Sequence, residues 1–373
     1  MKITDLFNFE KLEYKWNYIE TIPEFAKLKE CKQNPKWHSE GDVFTHTKKV
    51  CEETIKYLKQ FTYTFTGNDT HLIGAALFHD IGKGVTTEFK KGVWHSYGHE
   101  IEGEKITRML LWDEDTNLRE SICSLVRWHM EPLTILKHKH YIEHLIELSN
   151  KVNINNILTL KRFDILGSIP EDKNNTEINL LEIDKVKRIA NDINCLYRPS
   201  MVFKYGNNTS KNKQIDVHVM IGISGAGKST VVENHIMPYN NKISKDKNIV
   251  VVSRDIARVA LGYCQPNQKY LGTKEQEEVV TDYCNELIRK TAENGDNLII
   301  DDMHLKREYR DKIKELLKEY NVKYIYHYVE ASNINKNIKR RENQMPEEII
   351  KSMIWKLNFP TFDEYDKLTI YNN

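Results

Sequence analysis

The pattern of apolar positions changes character near residue 215. Before that point, apolar residues recur at helical spacing in two clear series: Val43, Val50 and Leu58, then Ile122, Leu125, Val126 and His129. The stretch NILTLKRFDILGS is a third helical segment, which is expected to end near Gly167. Helical periodicity with few strand-like runs predicts an all-α domain over residues 1–203.

After residue 215, short runs of β-branched, aliphatic and aromatic residues alternate with helical stretches. These runs are VHVMI (217–221), NIVVV (248–252), NLII (297–300), VKYIYHYV (322–329) and LTIY (368–371). Continuous apolar strands separated by helices are typical of a parallel sheet that is covered on both faces. The sequence therefore predicts an α/β domain over residues 215–373, joined to the first domain by the polar linker KYGNNTSKNKQ, residues 204–214.

The segment directly after the first of these strands, GISGAGKST, fits the phosphate-binding pattern G-x-x-x-x-G-K-[ST] in full. Its glycines let backbone N–H groups converge on phosphate oxygens, and the helix that follows adds the positive end of its dipole. Lys228 is expected to bridge the β- and γ-phosphates, and the Ser229 hydroxyl to bind Mg²⁺. The predicted ATP-binding residues are Gly222, Ser224, Gly225, Ala226, Gly227, Lys228, Ser229 and Thr230.

A carboxylate and an arginine follow the second predicted strand, where a parallel sheet opens into its ligand crevice. Asp255 and Arg258 are one helical turn apart. At this position Asp255 can take the proton of an acceptor hydroxyl, and Arg258 can hold a phosphate of the acceptor. A salt bridge on the surface of a helix is the alternative interpretation of the pair.

Together with the phosphate loop, the segments RDIAR, LIIDDMHLKREYR and KNIKRRENQMPEEII make the C-terminal half resemble the 5′-OH polynucleotide kinase family. The resemblance implies that Asp255 is the general base and that Arg258 contacts the phosphate on the acceptor side. It also implies that Arg340 or Arg341 is a lid arginine over the phosphates of ATP. A solvated basic helix is the alternative interpretation of KRRENQ. The family commonly has D-x-T-N after its third strand, whereas this chain has DDMH at 301–304, so that corner is left without a role.

The N-terminal half carries a His-Asp pair, His79-Asp80, at the end of the apolar run ALF, with Lys83 one helical turn further on. Four more residues complete the order H…HD…H…H…D: His46, His99, His129 and Asp164. Imidazole and carboxylate suit first-row transition metals such as Mn²⁺, Co²⁺, Ni²⁺ or Fe²⁺. Such a metal acidifies water and polarises a phosphoryl oxygen, which is the chemistry of phosphoester hydrolysis.

This ordered set resembles the HD superfamily of metal-dependent phosphohydrolases, whose fold is all-α. The resemblance implies a principal metal site formed by His46, His79, Asp80 and Asp164. It leaves His99 and His129 either to complete a second metal site or to contact the phosphate, so that one or two ions are expected. Lys83 would neutralise charge on the phosphate in the transition state.

Two neighbouring segments are interpreted differently. HSYGHEIEG resembles the HD domains attached to some bacterial tRNA nucleotidyltransferases, which act on 2′,3′-cyclic phosphates and 2′-phosphates. In contrast, KHKHYIEH, with His138, His140 and His144, is expected to be a solvated face. A single histidine is more often a surface or core residue than a metal ligand.

The two halves together predict one function. Attack by a 2′-OH inside an RNA strand leaves a 2′,3′-cyclic phosphate on one end and a 5′-OH on the other. The domain order resembles a family of bifunctional end-healing enzymes, in which an HD phosphoesterase is fused to a polynucleotide kinase. We therefore expect phosphorylation of 5′-OH ends of RNA or DNA by ATP with Mg²⁺, and metal-dependent removal of 2′,3′-cyclic, 2′- or 3′-phosphates. A separate RNA ligase would join the healed ends.

Two other functions use the same motifs. An HD nucleotidase joined to a small-molecule nucleoside kinase would also need the phosphate loop, Asp255 and Arg258. A nucleotide-binding sensor without turnover is the second alternative, against which the complete ligand set and the intact Asp255 speak. The acceptor that is phosphorylated distinguishes the first alternative from end healing.

Composition restricts the cellular location and the mode of nucleic-acid binding but does not identify the substrate. A net charge of +1, from 55 basic and 54 acidic residues, provides no overall positive field, so a nucleic acid would have to use local basic patches. No apolar run approaches the roughly 18 residues that span a bilayer, and MKITDLFNFEKLEYKW is too acidic for a secretory signal. Six cysteines without a C-x-x-C pair favour reduced thiols and a cytoplasmic location, and argue against a cysteine zinc site.

Overall fold

A computed structural model describes residues 1–60, 67–197, 199, 214–238, 248–265, 272–331 and 346–372. The chain divides into two compact units, Met1–Phe203 and Lys204–Asn373. The predicted linker lies outside the described residues except for Gln214, and so do both predicted lid arginines, Arg340 and Arg341. Among the described residues, no helix is long and apolar enough to cross a bilayer.

The N-terminal unit is helical, as its apolar periodicity predicts. Its helices are α1 (Ile3–Leu6), α2 (Trp16–Ile19), α3 (Pro23–Ala26), α4 (Val43–Lys59), α5 (Gly67–Phe78), α6 (Lys83–Thr86), α7 (His99–Leu110), α8 (Thr116–Trp128), α9 (Tyr141–Ser149), α10 (Ile154–Gly167) and α11 (Asn174–Asp192). Short 3₁₀ turns occupy Lys27–Lys29, Glu131–Leu133 and Ile135–Lys137. Side-chain caps fix the starts of α4, α8 and α10, where Asp42, Asp115 and Asn153 accept backbone N–H groups.

Two short antiparallel ribbons interrupt the helices, and the sequence pattern did not predict them. Strand β1 (Phe7–Asn8) pairs with β2 (Glu13–Tyr14), and β3 (Glu88–Lys90) pairs with β4 (Val93–His95). Strands of two or three residues are too short to show a period of two along the sequence. The β3–β4 ribbon lies between α6 and α7, directly before His99.

Helix α5 carries the HD motif into the interior of the N-terminal unit. Its last four residues, Ala75 to Phe78, are buried on every side, each at most 1% exposed. A helix that is apolar all round belongs in the centre of a fold. Because α4, α8 and α10 pack against α5, the residues that follow Phe78 emerge among these helices.

The C-terminal unit is built on a five-stranded parallel sheet, as predicted. Its strands are β5 (Ile215–Ile221), β6 (Ile249–Ser253), β7 (Asn297–Asp301), β8 (Val322–Glu330) and β9 (Lys367–Asn372), in the spatial order β6-β7-β5-β8-β9. The described helices are α12 (Lys228–Val231), α13 (Arg254–Ala260), α14 (Lys274–Glu293), α15 (Arg307–Leu316) and α16 (Glu347–Trp355). Helix α12 continues into a π turn, Val232–Ile236.

The topology places the predicted phosphate loop at the switch point of the sheet. The chain leaves the central strand β5 at Gly222 and passes beyond β7 to form β6, so a crevice opens at the carboxyl end of β5. A Cβ atom at Gly222, whose φ is +156°, would lie only 2.6 Å from the carbonyl oxygen of Val329. Glycine is therefore required where the loop passes over β8.

Candidate functional site

The six side chains of the H…HD…H…H…D set converge inside the N-terminal unit. His46 lies on α4, and His79 and Asp80 directly follow α5; His99 begins α7, His129 caps α8 and Asp164 lies on α10. Each of the six is at most 8% exposed. Residues spread over positions 46–164 of the sequence therefore form one buried cluster.

Asp80 stands between two groups of potential metal ligands. The first group is His46, His79 and Asp164. The second consists of Asp80 itself with His99 and His129. Within each group, each residue offers one ligand atom, and these atoms lie within 4.8 Å of one another. Oδ2 of Asp80 is 3.6 Å from Nε2 of His46 and 3.4 Å from Nε2 of His79. Oδ1 of Asp80 is 3.4 Å from Nε2 of His99 and 3.7 Å from Nε2 of His129. One carboxylate thus faces both groups.

Backbone contacts orient three of the histidines. Nδ1 of His79, His99 and His129 donates to the carbonyl oxygen three residues earlier, at distances of 2.9, 2.7 and 2.7 Å. Because a carbonyl oxygen only accepts, Nδ1 carries a proton in each of these rings, and Nε2 faces the cluster. Nε2 of His99 lies 3.2 Å from Nε2 of His129. A metal binds an imidazole through the nitrogen that its outer partner does not hold, so these inward Nε2 atoms fit a transition metal.

Glu40 places a carboxylate beside His46, and sequence reasoning missed it. Oε1 of Glu40 lies 2.9 Å from Nδ1 of His46 and 2.8 Å from Nδ1 of His38, while Oε2 accepts from the backbone N–H of Ile169. Burial by itself raises the pKa of Glu40, but hydrogen bonds from the two histidines hold this pKa well below its usual value. Glu40 precedes α4 in a loop, where no periodicity marks it.

Two lysines neutralise the carboxylates of the cluster. Nζ of Lys83 lies 2.7 Å from Oδ2 of Asp80, and Nζ of Lys161 donates to Oδ2 of Asp164 at 2.6 Å. Burial acts to raise the pKa values of both carboxyl groups, but the lysines and neighbouring histidines hold them well below the usual value. Lys83, for which the resemblance implies a contact with the substrate phosphate, contacts the predicted ligand Asp80 in this structure. Lys161 was missed, although it precedes Asp164 by one helical turn.

The first glycine of IGKG lets α7 approach the HD turn. A Cβ atom at Gly82 would overlap the carbonyl oxygen of His99 and lie 2.5 Å from the backbone nitrogen of Gly103. Glycine at this position therefore brings His99 within reach of Asp80.

The histidines of KHKHYIEH do not share one environment. His138 and His140 are exposed, as expected for a solvated face. His144 is half-buried, with Nε2 3.0 Å from Oε2 of Glu131 and a ring centroid 4.1 Å from that of His138. A turn of the chain before α9 brings Glu131 to this face.

The phosphate loop has the backbone form that its glycines predict. Gly225 and Gly227 have φ values of +82° and +94°. Nζ of Lys228 donates to the carbonyl oxygens of Gly222 and Ile223 at 3.1 and 3.0 Å, so it lies across the mouth of the loop. The loop is shaped to surround a phosphate group.

The DDMH corner, which the sequence left without a role, is attached to the phosphate loop. The Ser229 hydroxyl donates to Oδ2 of Asp301 at 2.8 Å, and the backbone N–H of Gly222 donates to the carbonyl of Met303. His304 has a φ of +39°, and its Nδ1 lies 3.0 Å from the carbonyl oxygen of Met220. Asp301 at the end of β7 therefore offers a carboxylate beside the Ser229 hydroxyl.

Asp255 and Arg258 form an ion pair in the first turns of α13. Nη1 of Arg258 donates to Oδ1 of Asp255 at 2.6 Å, and the Asp255 side chain is 91% exposed. Arg258 also donates to both carboxylate oxygens of Glu277 on α14, at 2.8 and 3.0 Å. Arg254 contacts Glu277 as well, and the hydrogen bond from Arg258 is the main reason that the pKa of Glu277 falls to about 2. The helix salt bridge of the alternative interpretation is present, and the missed Glu277 holds Arg258 in place.

Comparison with protein families matches one domain to each half. An HD domain matches residues 43–168, and an AAA domain matches residues 217–360. The chain combines an HD domain with a P-loop kinase-type AAA domain. The HD domain implies a metal and the P-loop implies ATP with Mg²⁺, so both domains support an enzymatic role.

Curated relatives share parts of this chain. A multifunctional CCA protein of Actinobacillus pleuropneumoniae serotype 5b (strain L20) is 40% identical over 89 residues, which are 24% of this chain and 20% of that protein. An L-seryl-tRNA(Sec) kinase of Methanococcus maripaludis is 27% identical over 146 residues, which are 38% of this chain and 52% of that protein. The chain thus spans about a fifth of the first relative and half of the second.

Solved structures also match parts of the chain. A chain of the Pnkp1/Rnl/Hen1 RNA repair complex has a TM-score of 0.33 and 19% identity, covering 42% of this chain and 50% of that one. A sugar kinase from Janibacter sp. HTCC2649 has a TM-score of 0.30 and 21% identity, covering 43% of this chain and 86% of that one.

Proposed function

We propose that this enzyme heals both ends of a broken nucleic-acid strand. Its HD domain removes a 2′,3′-cyclic phosphate or a 2′- or 3′-phosphate, and its P-loop domain phosphorylates the 5′-OH end. The observation that carries the proposal is the presence, in one chain, of a complete HD ligand set and a phosphate loop followed by a carboxylate-arginine pair. One relative is named as a kinase of L-seryl-tRNA(Sec), which supports a substrate that contains RNA.

In the HD domain, Asp80 would be shared by two cations. His46, His79 and Asp164 would complete one position, and His99 and His129 the other. A transition metal in this site acidifies water and polarises a phosphoryl oxygen. The chain prepares the site by turning Nε2 of three histidines inward and by placing Lys83 and Lys161 beside its carboxylates. Lys83, beside Asp80, would turn towards a phosphate oxygen of the substrate.

In the P-loop domain, Lys228 would exchange the carbonyl oxygens of Gly222 and Ile223 for oxygens of the β- and γ-phosphates. The Ser229 hydroxyl and the Asp301 carboxylate would hold Mg²⁺, for which oxygen ligands are preferred. Asp255 would accept the proton of the 5′-OH, and Arg258, held by Glu277, would bind the adjoining phosphate. The lid role of Arg340 or Arg341 belongs to the same proposal.

One substrate tests both activities together. An oligoribonucleotide with a 5′-OH and a 2′,3′-cyclic phosphate is incubated with the protein, ATP, Mg²⁺ and Mn²⁺, and both ends are then mapped. The proposal expects a 5′-phosphate on one end and a free 3′-OH on the other. An oligonucleotide recovered with both ends unchanged would overturn it.

Nucleotide metabolism remains the second candidate function, because the net charge of +1 supplies no overall field for a polynucleotide. In that case the P-loop domain would phosphorylate a free nucleoside. Offering a nucleoside and a 5′-OH oligonucleotide in one reaction with γ-labelled ATP distinguishes the two. End healing requires the label to appear on the oligonucleotide.

A further inference from the structure

Exposed aromatic rings lie next to the HD centre in sequence and in the fold. The β3–β4 ribbon and the corner that follows it connect α6, which begins with Lys83, to α7, which begins with His99. On this segment Phe89 is 57% exposed and Tyr97 is 76% exposed. Neither the HD ligand set nor the general acid–base chemistry uses these rings.

The Tyr97 ring is stacked on one side and open on the other. Its centroid lies 5.0 Å from that of His95, and the two ring planes differ by 13°. Because Tyr97 is stacked on His95 and still mostly exposed, one face of its ring is accessible to a flat partner. An aromatic ring already backed by a second ring is a preformed stacking surface.

The corner that carries Tyr97 is fixed to the HD centre. The carbonyl oxygen of Ser96 accepts from Nδ1 of His99 at 2.7 Å, and the Ser96 hydroxyl lies 2.8 Å from that of Thr87. Gly98, with a φ of +75°, then caps α7. Since two residues of chain span at most about 7 Å, the Cα atom of Tyr97 lies within that distance of the Cα atom of His99.

We propose that Tyr97, backed by His95, stacks on the nucleobase of the nucleotide that carries the terminal phosphate. The inference rests on the proposed function of the HD domain. Single-stranded ends expose the flat faces of their bases, and proteins hold such bases on tyrosine and histidine rings. Stacking tolerates every base, because each has a π face, and this suits an enzyme that must accept any broken end.

The test compares two single-stranded oligoribonucleotides that end in the same non-hydrolysable 3′-phosphonate. They differ only in whether the last nucleotide carries a base or is abasic. Binding to the full-length enzyme with its metals is measured by fluorescence anisotropy at fixed salt. We expect loss of the base to weaken binding to the wild-type protein about 5- to 150-fold. Tyr97→Ala and Tyr97→Leu should bind both oligonucleotides alike, whereas Tyr97→Phe should keep the difference.

Tyr18, an exposed tyrosine elsewhere in the N-terminal unit, supplies the matched control. Tyr18→Ala should discriminate between the two oligonucleotides as the wild-type protein does. Equal binding of both by the wild-type protein, or discrimination that survives in Tyr97→Ala and Tyr97→Leu, would overturn the proposal. Base-dependent binding without release of phosphate from hydrolysable ends would support the stacking site and overturn the proposed HD activity. Release of phosphate without base-dependent binding would support the proposed HD activity and overturn the stacking site.

Discussion

The hydroxyl of Ser229 donates a 2.8 Å hydrogen bond to Oδ2 of Asp301, and so joins the phosphate loop to the end of strand β7. The contact puts a carboxylate oxygen beside the hydroxyl that is expected to bind Mg²⁺. Asp301 lies at the carboxyl end of its strand, on the same edge of the sheet as Asp255 after β6. We infer that Asp301 is the carboxylate on the Mg²⁺ side of the kinase site.

Asp301→Asn should therefore reduce phosphorylation of 5′-OH ends by about 10²- to 10³-fold, because the metal that stabilises the transferring phosphate is held less well. Initial rates with a 5′-OH oligonucleotide and ATP measure the effect. Asp282→Asn, an exposed position on α14, should leave the rate unchanged. A normal rate for Asp301→Asn would show that Mg²⁺ is held elsewhere.

Substitutions in the two domains should separate the two activities. Asp255→Ala should abolish 5′ phosphorylation and leave removal of 2′,3′-phosphates intact, since it removes only the proposed general base of the proposed kinase site. Asp80→Ala should have the opposite effect, because it removes the carboxylate that faces both ligand groups. Mapping both ends of one substrate measures this. Loss of both activities in each variant, with both units folded, would contradict a two-site enzyme.

Glu40→Gln should weaken metal binding in the HD domain by about 10- to 100-fold, which is typical of losing an outer partner of a ligating histidine. The amide keeps the size of the side chain but removes the negative charge facing Nδ1 of His46. Metal content after dialysis and titration with Mn²⁺ measure the effect without any assay of activity. Glu30→Gln, at an exposed site in the same region, is the control. Unchanged retention of metal would mean that Glu40 stabilises the loop before α4 and has no effect on metal binding.

The two glycines of IGKG should respond differently to alanine. Gly82→Ala should destabilise the N-terminal unit by about 1–3 kcal/mol, because the new methyl group overlaps the backbone of α7 at His99. At Gly84 a Cβ atom would lie 3.4 Å from the Leu28 side chain, 3.6 Å from Cβ of Lys27 and 3.7 Å from the carbonyl oxygen of Glu24. These are ordinary van der Waals contacts, so Gly84→Ala should be tolerated. Urea unfolding of both variants, with metal content, tests this. Equal stability of the Gly82→Ala and Gly84→Ala variants would exclude the close approach of Gly82 to the backbone of α7.

A buried histidine pair should make the C-terminal unit sensitive to acid. His218 on β5 and His327 on β8 lie 2.9 Å apart, and burial lowers the pKa of His218 to about 4 and that of His327 to about 3. In the unfolded chain both histidines have a pKa of about 6.5. The unfolded state therefore binds more protons than the folded state as the pH falls below that value. The free energy of unfolding should decrease from about pH 6.5 down to about pH 3.

Unfolding by urea at pH 7.5, 6.0 and 5.0 measures the effect of the pair. The double variant His218→Val, His327→Val should show a shallower decrease, since valine suits a buried strand and does not titrate. An identical pH dependence in both proteins would assign the acid sensitivity to other groups.

The sequence by itself determined the two fold classes and the local motifs. Helical periodicity and continuous apolar strands report directly which face of each element is buried, so the helical unit and the parallel sheet were confirmed. The phosphate loop could also be predicted from the sequence, because its shape depends on glycine φ values within one short segment. The order of the HD residues along the chain named six side chains that the structure brings into one buried cluster.

Only the tertiary structure decided how those members meet. The placement of Asp80 between two ligand groups depends on how α4, α5, α7, α8 and α10 pack, and no spacing along the chain encodes it. The same holds for the residues that sequence reasoning missed or left without a role: Glu40, Lys161, Glu277 and Asp301. A single polar residue in a loop or at a strand end carries no periodic signal. Its partner is chosen by packing, through contacts between elements that are distant along the chain.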